Sequence, residues 1–186
     1  MTAFDQLAAR FREGVDFEIV TRPGPGPTLV MAIHGGRIEP GTAEIARRVA
    51  GKRHGLYLFM GIRGAGNTAL HLTSTRFDEP RALALVTTAR RVLSIHGCRG
   101  ADAFVVVGGR DGGGGERLRT ALGRGGFDAR SGGGGALHGR HPENICNRGR
   151  PKKGLQLEIS AGMRRWLLGD GTVDGTGPGT ALARFC

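Results

Sequence analysis

Cysteine is scarce in this 186-residue chain, with three residues at Cys98, Cys146 and Cys186. They cannot all pair within one monomer and their spacing matches no zinc-finger pattern, so a disulfide-stapled scaffold is excluded and a reducing compartment is expected. Long apolar runs are missing too. The longest, Thr28–Ile33 and Ala103–Val107, fall far short of the roughly 20 residues that a membrane helix needs. The first residues, MTAFDQLAARFREGVDF, lack the unbroken apolar core of a secretory signal. The expectation is synthesis in the cytoplasm with no Sec-type export and no membrane partner. Aromatics make up 5% of the chain, with one Trp and one Tyr, which argues against a nucleic-acid binder built on base stacking.

Basic residues and glycine are abundant. Lys and Arg total 27 against 16 Asp and Glu, a net charge of +11, and the chain holds 35 Gly. A field of that sign gathers polyanions. The same imbalance is also what Gly- and Arg-favouring codon usage would produce. A length of 186 residues fits one domain, residues 1–186, with about 70% of the unfolded surface buried on folding.

Apolar β-rich runs fall at residues 16–21, 28–34, 55–60, 70–74, 92–96, 103–108 and 154–160, and helical patterns at 42–53, 80–90, 116–122 and 161–168. The alternation predicts an α/β fold: an open, mixed parallel and antiparallel sheet of about seven strands with helices on both faces. The PGPGP stretch at 23–27 reads as a turn between the first two strands. The glycine runs 112–115 and 132–135 read as mobile surface loops, and residues 170–180 as a flexible segment near the C-terminus.

Two strands end in the same three letters, Ile33-His34-Gly35 and Ile95-His96-Gly97. Ligands of open α/β sheets bind beyond the carboxyl ends of strands, so the repeat places two imidazoles on the functional rim. Glu39, five residues past His34 on a Gly-rich loop, completes a His₂Glu set able to hold catalytic zinc with one position open. Glu44 is the competing acid, but it falls in an amphipathic helix with Ile45 and Val49 and reads as a solvated face. The last strand alternates, with Leu155, Leu157 and Ile159 on one face and Gln156, Glu158 and Ser160 on the other. Glu158 at the same rim is a candidate general base for a metal-activated water.

Five motifs resemble those of the poly-γ-glutamate hydrolase family, including its phage-encoded members. They are His34-Gly35-Gly36 with Ile38-Glu39-Pro40-Gly41-Thr42; Leu70-His71-Leu72-Thr73-Ser74-Thr75 with Phe77-Asp78-Glu79-Pro80; Ser94-Ile95-His96-Gly97-Cys98; Val107-Gly108-Gly109; and Asn144-Ile145-Cys146-Asn147 with Leu155-Gln156-Leu157-Glu158. The resemblance runs from about Phe17 to Leu168. It implies a zinc hydrolase with a carboxypeptidase-like core, one Zn²⁺, a polyanionic γ-glutamyl polymer as substrate and, for a phage-borne gene, release by lysis. Carried over position by position, it implies His34, Glu39 and His96 as zinc ligands and Glu158 as the catalytic carboxylate. The Arg- and Gly-rich stretches 63–66, 110–115 and 132–135 depart from the family pattern.

A γ-linked chain carries one free α-carboxylate per residue, which a bidentate Arg orients better than Lys does. Arg76 and Arg148 are the candidates, with His71 and Asn147 as further substrate contacts and Asn67 and Asn144 as possible amide donors. His54, His138 and His141 follow no ligand spacing and read as surface residues. Other readings stay open: a zinc amidase for small N-acyl amino acids or cell-wall peptide, a basic nucleic-acid binder, a thiol enzyme using Cys98, and a phosphate site at residues 107–112. A monomer is expected.

Overall fold

The computed structural model describes residues 1–132, 138–169 and 178–185. Its centre is one seven-stranded sheet: β1 (Phe17–Arg22), β2 (Thr28–Gly36), β3 (Gly55–Gly61), β4 (Arg91–Cys98), β5 (Val105–Gly109), β6 (Ala129–Ser131) and β7 (Leu155–Ser160), in the spatial order β1-β3-β2-β4-β7-β5-β6. The neighbours β3, β2, β4 and β7 run parallel, β1 lies antiparallel to β3, and β5 lies antiparallel to β7. From β2 the chain crosses to β3 on one side and later to β4 on the other. The strand order therefore reverses between β2 and β4, the position where open α/β sheets form a crevice.

Helices cover both faces: α1 (Ala3–Ala8), α2 (Thr42–Ala50), α3 (Pro80–Thr88), α4 (Gly112–Arg124), α5 (Ala161–Leu168) and α6 (Pro178–Phe185). Strand alternation divides the core accordingly. Val30, Ala32, Leu58, Ile95, Leu157 and Ile159 pack with α2, α4, α5 and α6 on one face. Leu29, Met31, Ile33, Tyr57 and Phe59 pack with α1 and α3 on the other. Each of the larger buried aliphatic side chains among these contributes about 1.5–3 kcal/mol of transfer free energy, so the sheet is stabilised from both sides.

Local patterning misleads in three places. Residues 70–74 form no strand: a 3-10 turn at Asn67–Leu70 leads into an irregular segment whose Leu70 is buried. The seventh strand is instead β6, whose three residues are too few to show a period. The glycine run 112–115 is the first turn of α4 and not a mobile loop. Glycine costs about 1 kcal/mol per residue in a helix, but Asp111 caps this one by accepting from Gly114 N at 3.1 Å. The helix start also lies close to the sheet, where a Cβ on Gly115 would sit 3.6 Å from Leu155 and 3.7 Å from Val107. Of the segments read as flexible, 133–135 and 170–177 lie outside the described residues. No helix of the described residues is long and apolar enough to cross a membrane.

Candidate metal centre

His34 and His96 stand at the carboxyl ends of β2 and β4, on either side of the point where the strand order reverses. Strict alternation would send them to opposite faces, since His34 follows Val30 and Ala32 in parity while His96 follows Ser94. A register irregularity between Ala32 and Gly35 breaks that alternation and re-aims the end of β2. The two Nδ1 atoms come within 3.2 Å of each other. Glu39, on the turn leaving β2, brings Oε1 to 3.0 Å from His34 Nδ1 and Oε2 to 3.8 Å from His96 Nδ1. Its backbone N–H donates to His34 O at 2.8 Å, and Gly97 N donates to Oε2 at 2.7 Å, so both the turn and the carboxylate are fixed.

The outward nitrogens are fixed as well. His34 Nε2 lies 2.7 Å from Leu72 O, and since a carbonyl only accepts, that nitrogen carries the proton. In a neutral ring Nδ1 then offers its lone pair to a cation, whereas without one the 3.0 Å contact with Glu39 needs a proton on Nδ1. His96 Nε2 meets Ser94 Oγ at 2.8 Å. Two imidazoles oriented by outer partners and one carboxylate aimed at a common point form a donor set that suits a divalent cation such as zinc. Burial pushes the His96 ring down to about 3, which keeps it neutral as a ligand must be. Burial alone would raise Glu39, yet the adjoining His34 and His71 rings hold it well below the usual carboxylate range.

His71 joins the cluster from the irregular segment and not from a strand. Its ring stacks on His34 with centroids 3.8 Å apart, and Nε2 lies 3.7 Å from Glu39 Oε1. One ligand atom each from His34, Glu39 and His71 falls within 4.8 Å of the others, so two possible ligand sets share His34 and Glu39. The two histidines differ in exposure: the His71 side chain is 38% accessible, that of His96 3%. Contact with Glu39 raises the His71 pKa.

Glu158 sits beside His96 in the parallel β4–β7 register and is buried. Burial, together with the charge of Glu39, raises its carboxyl to about 8. Gln156 Nε2 donates to Glu158 Oε1 at 2.9 Å and Asn144 Nδ2 donates to Gln156 Oε1 at 2.9 Å, a short relay that fixes the carboxylate. Asn144 therefore supports the site from behind.

Arg76 is exposed and shares a cleft of about 360 Å³ with His71. Arg148 and Asn147 are not brought to the histidine cluster. Arg148 donates to Phe77 O and, at 2.9 Å, to Glu143, lining a separate cavity with Leu83 and Pro142. Asn147 is fully occupied by backbone: Oδ1 accepts from Arg110 N and Gly154 N, and Nδ2 donates to Gly139 O and His141 O. Its amide has no capacity left for a substrate, and its role is to tie three chain segments together. Asn67 likewise closes a turn with the backbone of Arg63. At residues 107–112 the Asp111 carboxylate occupies the start of α4, which disfavours an anion there. Cys146 is buried, and its thiol is pushed up to about 12 by that burial. Cys98 is half-buried and its thiol is raised by burial, against a thiolate role. His54 is half-buried with Nδ1 shut off from partners among the described residues, so it is not a surface residue as expected.

Sequence reasoning missed Arg164. From α5 its Nη1 reaches Cys98 O at the end of β4 and Ile159 O one residue before the end of β7, and its charge lies close enough to act on Glu39 and Glu158. The space is provided by Gly97, where a Cβ would clash with Nη1 and lie 2.7 Å from Cζ.

Comparison with known proteins agrees with this fold. The solved structure of a bacteriophage poly-γ-glutamate hydrolase superposes with a TM-score of 0.88 at 30% identity, covering 98% of this chain and 90% of that one. The zinc-free form of YndL superposes with a TM-score of 0.86 at 37% identity, covering 98% and 89%. Among sequences, YndL of Bacillus subtilis (strain 168) is 42% identical over 160 residues, 83% of this chain and 61% of its own length. The SPbeta prophage-derived YoqZ of the same organism is 36% identical over 162 residues, 87% and 59%. The chain thus spans about three-fifths of the length of these two relatives. The model of the poly-γ-glutamate hydrolase family matches residues 1–183, and the chain belongs to that family.

Proposed function

We propose that this chain hydrolyses the γ-glutamyl amide bonds of poly-γ-glutamate, with His34, Glu39 and His96 holding one zinc ion and Glu158 acting as general base. The observation that carries the proposal is the meeting of His34 Nδ1, His96 Nδ1 and the Glu39 carboxylate within 3.0–3.8 Å at the rim of a parallel sheet. His96 is preferred to His71 as the third ligand because it is buried and its outer nitrogen is already held by Ser94. A zinc ion bound there would polarise the scissile carbonyl and acidify water.

The remaining steps belong to the protein. Glu158, held by Gln156 in a buried site that raises its proton affinity, accepts a proton from the attacking water and returns it to the leaving amine. Arg164 supplies a fixed positive charge between the ends of β4 and β7, close to both carboxylates. The excess of basic residues draws in a polymer that carries one α-carboxylate per residue. The substrate assignment rests on family membership.

The test is turnover of purified poly-γ-glutamate, followed by product size. Chelation should abolish it and added zinc restore it. Glu158→Gln should keep one zinc per chain and lose roughly 10²–10⁴ in kcat, the usual worth of a positioned acid-base group. Full activity in that variant would remove the proposed base. Cleavage of small N-acyl amino acids or cell-wall peptide in place of the polymer would move the assignment to a different amidase.

A further inference from the structure

Helix α1 gives little signal in the sequence, and six residues are too few to persist as a helix alone. It is nonetheless fixed. The Asp78 carboxylate accepts from Ala3 N at 2.8 Å and from Phe4 N at 2.7 Å, Phe4 packs edge-on against Phe17, and Leu7 is buried. Asp78 follows directly on the segment that carries His71 and Arg76. One carboxylate thus ties that segment to α1, and between them lies the cleft of about 360 Å³. Ala3, Gln6, Leu7 and Arg10 form one wall, and Ala69, Leu72, Thr73 and Arg76 the other. His71 lines the same cleft while its Nε2 lies 3.7 Å from Glu39 Oε1, so the cleft adjoins the metal centre through His71.

Two guanidinium groups face this space. Arg10 and Arg76 are both exposed, and neither is paired with a carboxylate among the described residues, whereas Arg63, Arg81 and Arg148 are. The Arg10 guanidinium rests over the Phe11 ring, 5.4 Å from its centroid, which gives it a platform. The volume falls within the range of small-molecule sites, about 300–1,000 Å³. Paired arginines beside apolar and hydroxyl groups suit a flexible chain bearing separate carboxylates.

We infer that the cleft between α1 and residues 69–76 is a subsite for the γ-glutamyl chain flanking the scissile bond, with Arg10 and Arg76 each receiving an α-carboxylate. The inference rests on the proposed polymer hydrolysis and assigns its specificity to the walls of one cleft. An amidated chain, lacking the carboxylates, would lose both contacts.

The experiment is equilibrium binding of a fluorescein-labelled poly-γ-glutamate oligomer to the zinc-loaded Glu158→Gln protein, read by anisotropy. Adding Arg10→Gln or Arg76→Gln should weaken binding about tenfold each, and adding salt should weaken binding to the parent more than to the double variant. Arg48→Gln, which removes the same charge from the exposed face of α2, should change affinity by less than about twofold and so controls for net charge. An α-amidated oligomer should not distinguish the parent from the arginine variants. If the parent binds and the wild-type enzyme cuts the polymer, but the arginine variants bind like the parent or no more weakly than Arg48→Gln, the subsite is overturned and the hydrolase stands. If the parent does not bind the oligomer and the wild type does not cut the polymer, both fall.

Discussion

The two strand ends that share Ile-His-Gly use the same letters for different purposes. At Gly35 the missing side chain lets the sheet meet its neighbours: a Cβ there would lie 2.9 Å from Ala43 Cβ, 3.0 Å from Met60 Cγ and 3.2 Å from Phe59 O. At Gly97 it admits the Arg164 guanidinium, while the backbone N–H of the same residue holds Glu39. The histidines differ in a parallel way. His34 is oriented by a backbone carbonyl that no substitution can delete, and His96 by a serine hydroxyl that one can. One end is thus built into the packing and the other assembled from side chains.

The comparison fails if the twin glycines respond alike. Gly97→Ala should push aside Arg164 and press on Glu39, whose Cβ would lie 3.1 Å away, so zinc affinity and kcat/KM should fall by about a hundredfold while the fold persists. Gly35→Ala meets a neighbouring Cβ and a backbone oxygen and should cost about 1–3 kcal/mol of stability, with metal affinity in the folded fraction much less affected. Titration with zinc alongside thermal melts separates the two, and a Gly97→Ala protein that binds zinc normally would erase the contrast.

Ser94→Ala sharpens it further. Freed of its outer partner, His96 should hold zinc about tenfold more weakly, as measured by competition with a chelator. An unchanged affinity would show that packing alone orients the ring.

A separate effect, on stability and not on zinc, concerns Glu158 in the metal-free protein. Its carboxyl is raised to about 8 in the folded state against an ordinary value of 4.5, so over that interval the folded chain keeps a proton that the unfolded chain has released. Stability from this group is therefore lost as pH rises from 4.5 toward 8. Glu158→Gln should melt progressively higher than the wild type across that window, by roughly 10 °C at its top, since each pH unit of the window is worth about 1.4 kcal/mol and about 1 kcal/mol moves Tm by about 2–4 °C in a chain of this size. A pH-independent difference would contradict the raised carboxyl.

The sheet, its helices on both faces and the trio His34, Glu39 and His96 could be read from the sequence because each leaves a local trace: strand alternation, a repeated motif and an acid on a short glycine-rich turn. Arg164 leaves none. It adjoins Arg165 in the same helical pattern, and only the docking of α5 decides that the first is half-buried at the site and the second exposed. Asn147 and Arg148 lie away from the histidine cluster for a similar reason, because some of their partners, Arg110 and Phe77, are far away in sequence. The glycine run at the head of α4 shows propensity yielding to tertiary contact. Helix α1 was illegible because its stability comes from Asp78, some seventy positions away.

The margins of the sheet bear on how the molecule behaves in a crowd. At one border β6 offers three residues, with Arg130 engaged by Asp128, and at the other β1 turns Glu18 and Thr21 to solvent. A strand from a neighbouring molecule would find a short or charged template at either border. Fibrillar self-templating is thereby discouraged in a chain whose parallel interior strands are rich in valine, leucine and isoleucine.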